Sequence, residues 1–199
     1  EYKAWGINVD FVGPNGRFNI GTGLKNTSSK KSRIARVNSD YTSLSSLGKI
    51  LNISWISPQM CVLFLSSMSE KRRFIDRLTF SIDNLHLNRV YRYEKLFRQR
   101  NKILMQSSFD HTWLNTIETQ ISQLSIAITA RRLDLIEELD NLYKKELKNN
   151  SLTEHFPSVG IMIKGKVENL LIDKPTAEVE DYIKLELKKS RSNYDVFIP

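Results

Sequence analysis

WISPQMCVLFLSSMSEKRRFIDRLTFSIDNLHLNRVYRYEKLFRQRNKIL, residues 55 to 104, governs how the rest of the chain is read. It runs from an apolar loop through a double arginine into a basic amphipathic segment. Beyond Pro58, residues 70–82 and 84–106 show helical spacing, with Leu87, Val90, Tyr93, Phe97 and Leu104 marking the core face of the second helix. Arg73 and Arg77 stand four apart on one face of the first helix and Arg72 lies about 100° round. The three can thus present a broad guanidinium surface to a phosphate backbone. Pairing with Glu70 and Asp76, the latter four residues from Arg72, is the competing use of these arginines. On the second helix, which also carries Arg89, Arg98 and Arg100, the residues Arg92, Lys95, Gln99 and Lys102 form a stripe opposite Val90, Phe97 and Leu104. Such a stripe suits phosphate tracking without base readout, and the same spacing describes an ordinary solvated face.

Upstream, Trp5, Ile7, Val9 and Phe11 alternate with smaller or polar residues, the pattern of a strand with one buried face. Gly13-Pro14-Asn15-Gly16 supplies hairpin turn chemistry, Phe18 and Ile20 return, and a polar loop over 25–32 leads to a third short strand over 34–37. A short helix over 44–51 and a strand over 53–56 follow. Downstream, Ile121, Ile128, Leu135 and Leu142 repeat every seven residues, supported by Ile117 and Leu124, until Arg131 and Glu138 break the second stripe. This predicts a long helix from about 112 to 148, packed antiparallel on the one before it. Val159, Ile161 and Ile163 alternate as a strand, and residues 176–189 form a final helix behind Pro175. The fold class expected is α+β, a small antiparallel sheet followed by helices.

The chain has 199 residues, is 40% hydrophobic and 26% charged, and so has ordinary globular usage. Its net charge of +8 is unevenly placed: residues 1–50 carry eight basic and three acidic side chains, 51–110 ten and five, 111–199 twelve and fourteen. A positive field over the first 110 residues favours polyanions. Cys61 is the only cysteine, which excludes an internal disulfide and a multi-cysteine zinc site and fits a reducing compartment. Its apolar neighbours suit a small buried hydrophobe. His86, His111 and His155 have no ligand spacing, and no apolar run approaches membrane-spanning length. Trp5, Trp55 and Trp113 lie in apolar patterns and read as core.

The run Ser67-Met68-Ser69-Glu70-Lys71-Arg72-Arg73-Phe74-Ile75-Asp76 resembles the Gly-x-Pro-x-x-Arg-Arg-x-Phe-Leu-Asp run of the RecF family, whose ATPase head is of the ABC and SMC type. The double arginine and the closing Phe-Ile-Asp match in kind. No Gly or Pro stands in the run from Ser67, Met68 onward, where the family carries both, which implies a less constrained turn into the helix. The resemblance implies a partial head with a Q-loop-like segment over 1–66, a helical lid arm over 67–150, and a strand and helix returning toward the head over 151–199. It puts Gln59 at the loop position that reaches toward magnesium and the attacking water, and makes Arg72, Arg73, Arg77, Arg92, Lys95, Arg98 and Lys102 the DNA-contact candidates. For the family it further implies ATP and Mg2+, ATP-driven head-to-head dimers, gapped or junction DNA, RecR and RecO as partners, RecA loading, an SOS role, and a cytoplasmic location.

Gly13-Pro14-Asn15-Gly16 also opens the phosphate loop of such heads. Here no Lys-Ser or Lys-Thr pair follows, and Arg17 to Gly23 alternates like a strand, so a hairpin is expected rather than a nucleotide cradle. Neither a signature motif nor a Walker B strand is recognisable, so this chain alone is not expected to be an enzyme. A second reading is a protein-docking helical module without direct DNA contact, its cations occupied by internal carboxylates.

Overall fold

The computed structural model describes residues 5–13, 16–27, 30–48, 50–51, 53, 55, 57–106, 108, 110–149 and 159–191; the side chains of 25–27, 30–31, 45, 59, 61 and 148–149 lie outside the described set. It comprises two compact units, residues 1–55 and 56–199.

The first unit is an antiparallel sheet of β1 (Gly6–Gly13), β2 (Gly16–Thr27), β3 (Lys30–Val37) and β4 (Asp40–Thr42), in that spatial order, followed by the single turn α1 (Leu44–Leu47). Gly13 pairs with Gly16 and Phe11 with Phe18, whose rings stack at 5.4 Å across the two strands. Gly16 has a φ of 112°, which glycine alone adopts without strain. Gly23 is required for a different reason. A Cβ there would lie 2.7 Å from the Trp5 carbonyl oxygen, which accepts the Leu24 amide.

Residues 25–27 and 30–32, expected as part of a loop, are instead strand, because β2 and β3 stay paired from Lys25↔Ser32 to Thr27↔Lys30, and 28–29 lie outside the described residues. Backbone bonds hold this stretch and need no apolar side chains. β4 was not legible. It is set by Asn38 and Ser39, both at positive φ, which close a two-residue hairpin between Val37 and Asp40. The buried face expected of β1 is not buried: Ile7 and Val9 are exposed, and burial in this sheet falls on Ile20 and Ala35. The helix expected over 44–51 stops at Leu47, where Gly48 caps it. Of the strand expected over 53–56, Ile53 and Trp55 have no regular structure, and Ser54 and Ile56 lie outside the described residues.

The second unit opens with a 3-10 helix (Pro58–Leu65) and continues with α2 (Met68–Ile82), α3 (His86–Leu104), α4 (His111–Asn149), α5 (Lys166–Asp173) and α6 (Thr176–Lys189). α3 doubles back through a short connection to lie against α4, the antiparallel pair anticipated from the seven-residue repeat. Asp110 fixes the turn between them by accepting the amides of Thr112 and Trp113 at 2.7 and 3.2 Å. The core gathers Tyr93 and Phe97 from α3, Ile117, Ile121 and Ile128 from α4, Val167 from α5, and Val179, Ile183 and Leu187 from α6.

Three expectations fail in this unit. Residues 159–163 form no strand although Val159, Ile161 and Ile163 alternate, and α5 appears where only a turn at Gly165 was expected. Trp113, like Trp5 and Trp55, is about half exposed rather than core. On α4 the inward face is set by Leu114 and Ile117, and Trp113 lies one residue, about 100°, off it.

Candidate nucleic-acid interface

The turn into α2 is held by a capping box rather than left loose. Ser67 Oγ accepts the Glu70 amide at 3.3 Å, and Glu70 Oε2 accepts the Ser67 amide at 3.1 Å. Glu70 is thereby committed to the helix start. Asp76 is committed elsewhere. It is buried and accepts Arg132 Nε at 2.8 Å and Nη2 at 3.0 Å, with His86 Nε2 at 2.7 Å from the same Oδ1. An ionised carboxylate can only accept, so His86 carries its proton on Nε2 here. Burial alone would push the Asp76 carboxyl up; the bonds from His86 and Arg132, with their charges, outweigh it and hold it below the ordinary value of 3.8. The pairing of Arg72 with Asp76 is therefore displaced by Arg132 and His86, which sequence spacing did not connect.

α2 then shows two cationic faces. Met68, Lys71, Arg72, Ile75 and Leu78 line one groove, whereas Glu70, Arg73, Phe74 and Arg77 line another. Arg72 thus points away from Arg73 and Arg77. Both of the latter are exposed, and the Arg77 guanidinium lies 6.0 Å from the Phe74 ring.

On α3 the residues divide sharply. His86, Tyr93, Phe97 and Arg100 are buried, while Arg92, Lys95, Arg98, Gln99 and Lys102 are exposed. Arg100 belongs to the core side. Its Nε donates to Glu118 Oε1 at 2.9 Å and its Nη2 to the Leu187 carbonyl at 2.6 Å, while Arg191 closes on the same Glu118 carboxylate and on Asn115 Oδ1 at 2.6 Å. Arg89 is held by Asp83, and Arg98 lies 3.6 Å from Glu94. Among the described residues Arg92, Lys95 and Lys102 make no ion pair with a carboxylate. They stand on one solvent face as three uncompensated cations, able to neutralise phosphates without giving up an internal bond.

A cofactor finds less here. Gln59 lies in the 3-10 helix, but its side chain, like that of Cys61, is outside the described set. The glycines at 13, 16, 21 and 23 sit in paired strands, so their backbones serve a sheet rather than converging on a phosphate at a helix start. Among the described residues no His, Cys, Asp and Glu cluster of three or more fits a metal ion, and no helix is long and apolar enough to cross a membrane.

No family model matches the sequence. Curated relatives do. The chain is 33% identical over 192 residues to the DNA replication and repair protein RecF of Agrobacterium fabrum, a match covering 96% of this chain and 50% of that protein. RecF of Mesorhizobium japonicum is 33% identical over 189 residues, covering 94% and 49%, and RecF of Rickettsia bellii 31% over 159 residues, covering 80% and 42%. The chain therefore spans about half the length of the curated relatives it matches. Among solved structures, the recombination mediator protein RecF with ATP in the RecFOR pathway shares the fold at a TM-score of 0.68 and 17% identity, over 100% of this chain and 53% of that one.

Proposed function

We propose, since this chain belongs to the RecF family, that its helical unit is a DNA-contact element of a DNA replication and repair protein. The observation that carries this reading is the α3 face, where Arg92, Lys95 and Lys102 are exposed and make no ion pair among the described residues, whereas Arg89 is held by Asp83 and Arg100 by Glu118. Arg98 flanks that face, and Arg73 and Arg77 add exposed cations on α2, whereas Arg72 lines the groove on another side of that helix. Contacts of this kind fix position on a duplex and carry no base sequence, so the DNA recognised is defined by its structure, such as a gap or a single-to-double-strand junction. In this reading the protein works in the cytoplasm with RecR and RecO to load RecA in recombinational repair and the SOS response, and two heads close on DNA in an ATP- and Mg2+-dependent dimer.

The 199-residue chain contributes the DNA-contact part of that cycle and not the hydrolysis. Gln59 is the residue through which the 3-10 helix would meet magnesium or the attacking water; an amide can orient water but cannot act as a base near neutral pH. We expect no tight ATP binding by this chain alone, and saturable binding in equilibrium dialysis would contradict that. The interface is tested by anisotropy of a labelled gapped duplex against the chain and against Arg92→Ala/Lys95→Ala/Lys102→Ala. Every substituted side chain is exposed, so the fold is retained, and affinity should fall at least about tenfold.

The second reading, a docking module without DNA contact, is favoured by Arg89, Arg100, Arg131 and Arg132, all of which are occupied by internal carboxylates. Equal duplex binding by both proteins in that assay would select it.

A further inference from the structure

The alternating stretch at 159–163 has the residue pattern of a half-buried strand and, among the described residues, no strand to pair with. Among the described residues the amides and carbonyls of Ile161, Met162, Ile163 and Lys164 make no backbone hydrogen bond. This stretch forms one wall of a groove of about 520 Å³ in the helical unit, whose other walls come from the 3-10 helix, α2, α4 and the start of α5. The volume is that of an ordinary ligand cleft.

Two properties of the groove narrow its occupant. Its lining is apolar, through Phe64, Ile75, Leu78, Ile136, Leu139 and Ile163, and several large side chains at its mouth are bare: Phe64 is 81% exposed, Met162 70%, Met68 57% and Ile161 48%. Contiguous exposure of this kind marks an interaction surface, and methionines let such a surface adapt its shape. Its rim is cationic. Among the described residues Lys71, Arg72 and Lys164 line it with no carboxylate ion pair, Lys166 joins them although its charge also acts on Glu186, and Glu168, the one acidic residue in the lining, is buried. A nucleic-acid strand would satisfy the rim but leave the apolar mouth in water. A neutral apolar molecule would do the reverse.

We propose that this groove captures an extended, acidic-apolar peptide segment of a partner protein, which pairs as a strand with Ile161–Lys164. Alternate apolar side chains of the peptide enter between Ile75, Leu78 and Ile136, and its carboxylates meet Lys71, Arg72, Lys164 and Lys166. Main-chain bonds supply affinity in this mode, and the alternating side-chain sites supply selectivity. The inference is independent of the α3 stripe, which belongs to a different face of the unit.

The test is fluorescence anisotropy with a labelled peptide that alternates valine and glutamate, titrated with the purified chain. Saturable binding is expected, weakened at least tenfold by Phe64→Asp and by Lys164→Glu, both at exposed positions where circular dichroism should report an unchanged helix content. A matching valine-lysine peptide should bind Lys164→Glu better than it binds the parent chain. The Arg92→Ala/Lys95→Ala/Lys102→Ala variant should bind the acidic peptide as the parent does, which separates failure here from failure of the DNA reading. Absence of saturable binding, insensitivity to either groove substitution, displacement of the peptide by a single-stranded oligonucleotide, or self-association abolished by Phe64→Asp would each overturn the proposal.

Discussion

Asp76 shows how little a charged residue's neighbours in sequence say about its partners. Arg72 stands four residues away on the same helix, yet the carboxylate is taken by Arg132 from α4 and His86 from α3. The groups that hold one another are buried, so removing one leaves another charged or polar and unpaired, which in proteins costs about 3–5 kcal/mol. Asp76→Asn should therefore lower the unfolding free energy by about 3 kcal/mol at neutral pH, as measured in urea. The pH dependence has a definite sign. A carboxyl held below its unfolded value adds stability above that value and loses it as pH falls through the folded one. Below the ordinary 3.8, the parent chain should lose stability more steeply than Asp76→Asn, so the gap between them closes in acid. The Glu118 site follows the same logic, since Arg100 and Arg191 both depend on it. Glu118→Ala should cost about 3 kcal/mol or more. None of these partnerships was visible in the sequence, because they join positions 56, 18 and 73 residues apart with no periodic pattern between them.

At the level of elements, periodicity was informative along α3, α4 and α6, where one face of a longer helix meets the core, and silent on the short α5. The seven-residue repeat of α4 describes a real seam: Ile121, Ile128 and Leu135 are 0, 2 and 4% exposed. It ends before Leu142, which is 59% exposed. Ile128→Ala should therefore cost about 2–5 kcal/mol, while Leu142→Ala stays within about 0.5, a contrast that thermal melts of the two variants would resolve. α6 was legible to its residue limits because Val179, Ile183 and Leu187 recur every four residues and all three are buried. Strands were read less well, since alternation reports a residue's suitability for a strand and not the presence of a neighbour. It placed β1 as a strand but not its expected buried face, and it failed at 159–163. β4 and the extension of β2 and β3 rest on backbone pairing and positive φ, which polar side chains conceal. In the sheet unit, Gly23→Ala should destabilise the β1 edge, as its Cβ would meet backbone that cannot move without breaking the Leu24 to Trp5 bond. Faster amide exchange at Leu24 would report it.

Across the molecule, the excess of positive charge in the first 110 residues is not a uniform coat. The fold sorts it. Arg100 is used as an internal bolt between helices, and other cations are left bare on the α3 face and around the groove beside α2. Composition revealed the field and the resemblance to RecF gave it a reason, but only the packing of α3 on α4 separates the cations that can meet phosphate from those that cannot. The claim that rests on this sorting is that Arg92, Lys95 and Lys102 neutralise DNA phosphates. The measurement that reaches it most directly is the affinity of the chain for a gapped duplex across a range of salt concentrations, repeated with Arg92→Ala/Lys95→Ala/Lys102→Ala. Phosphate contact predicts a steep fall of affinity with salt in the parent chain, and a slope of log affinity against log salt shallower by about one per residue removed in the variant. Identical slopes in the two proteins would contradict it and leave the α3 face as solvated surface.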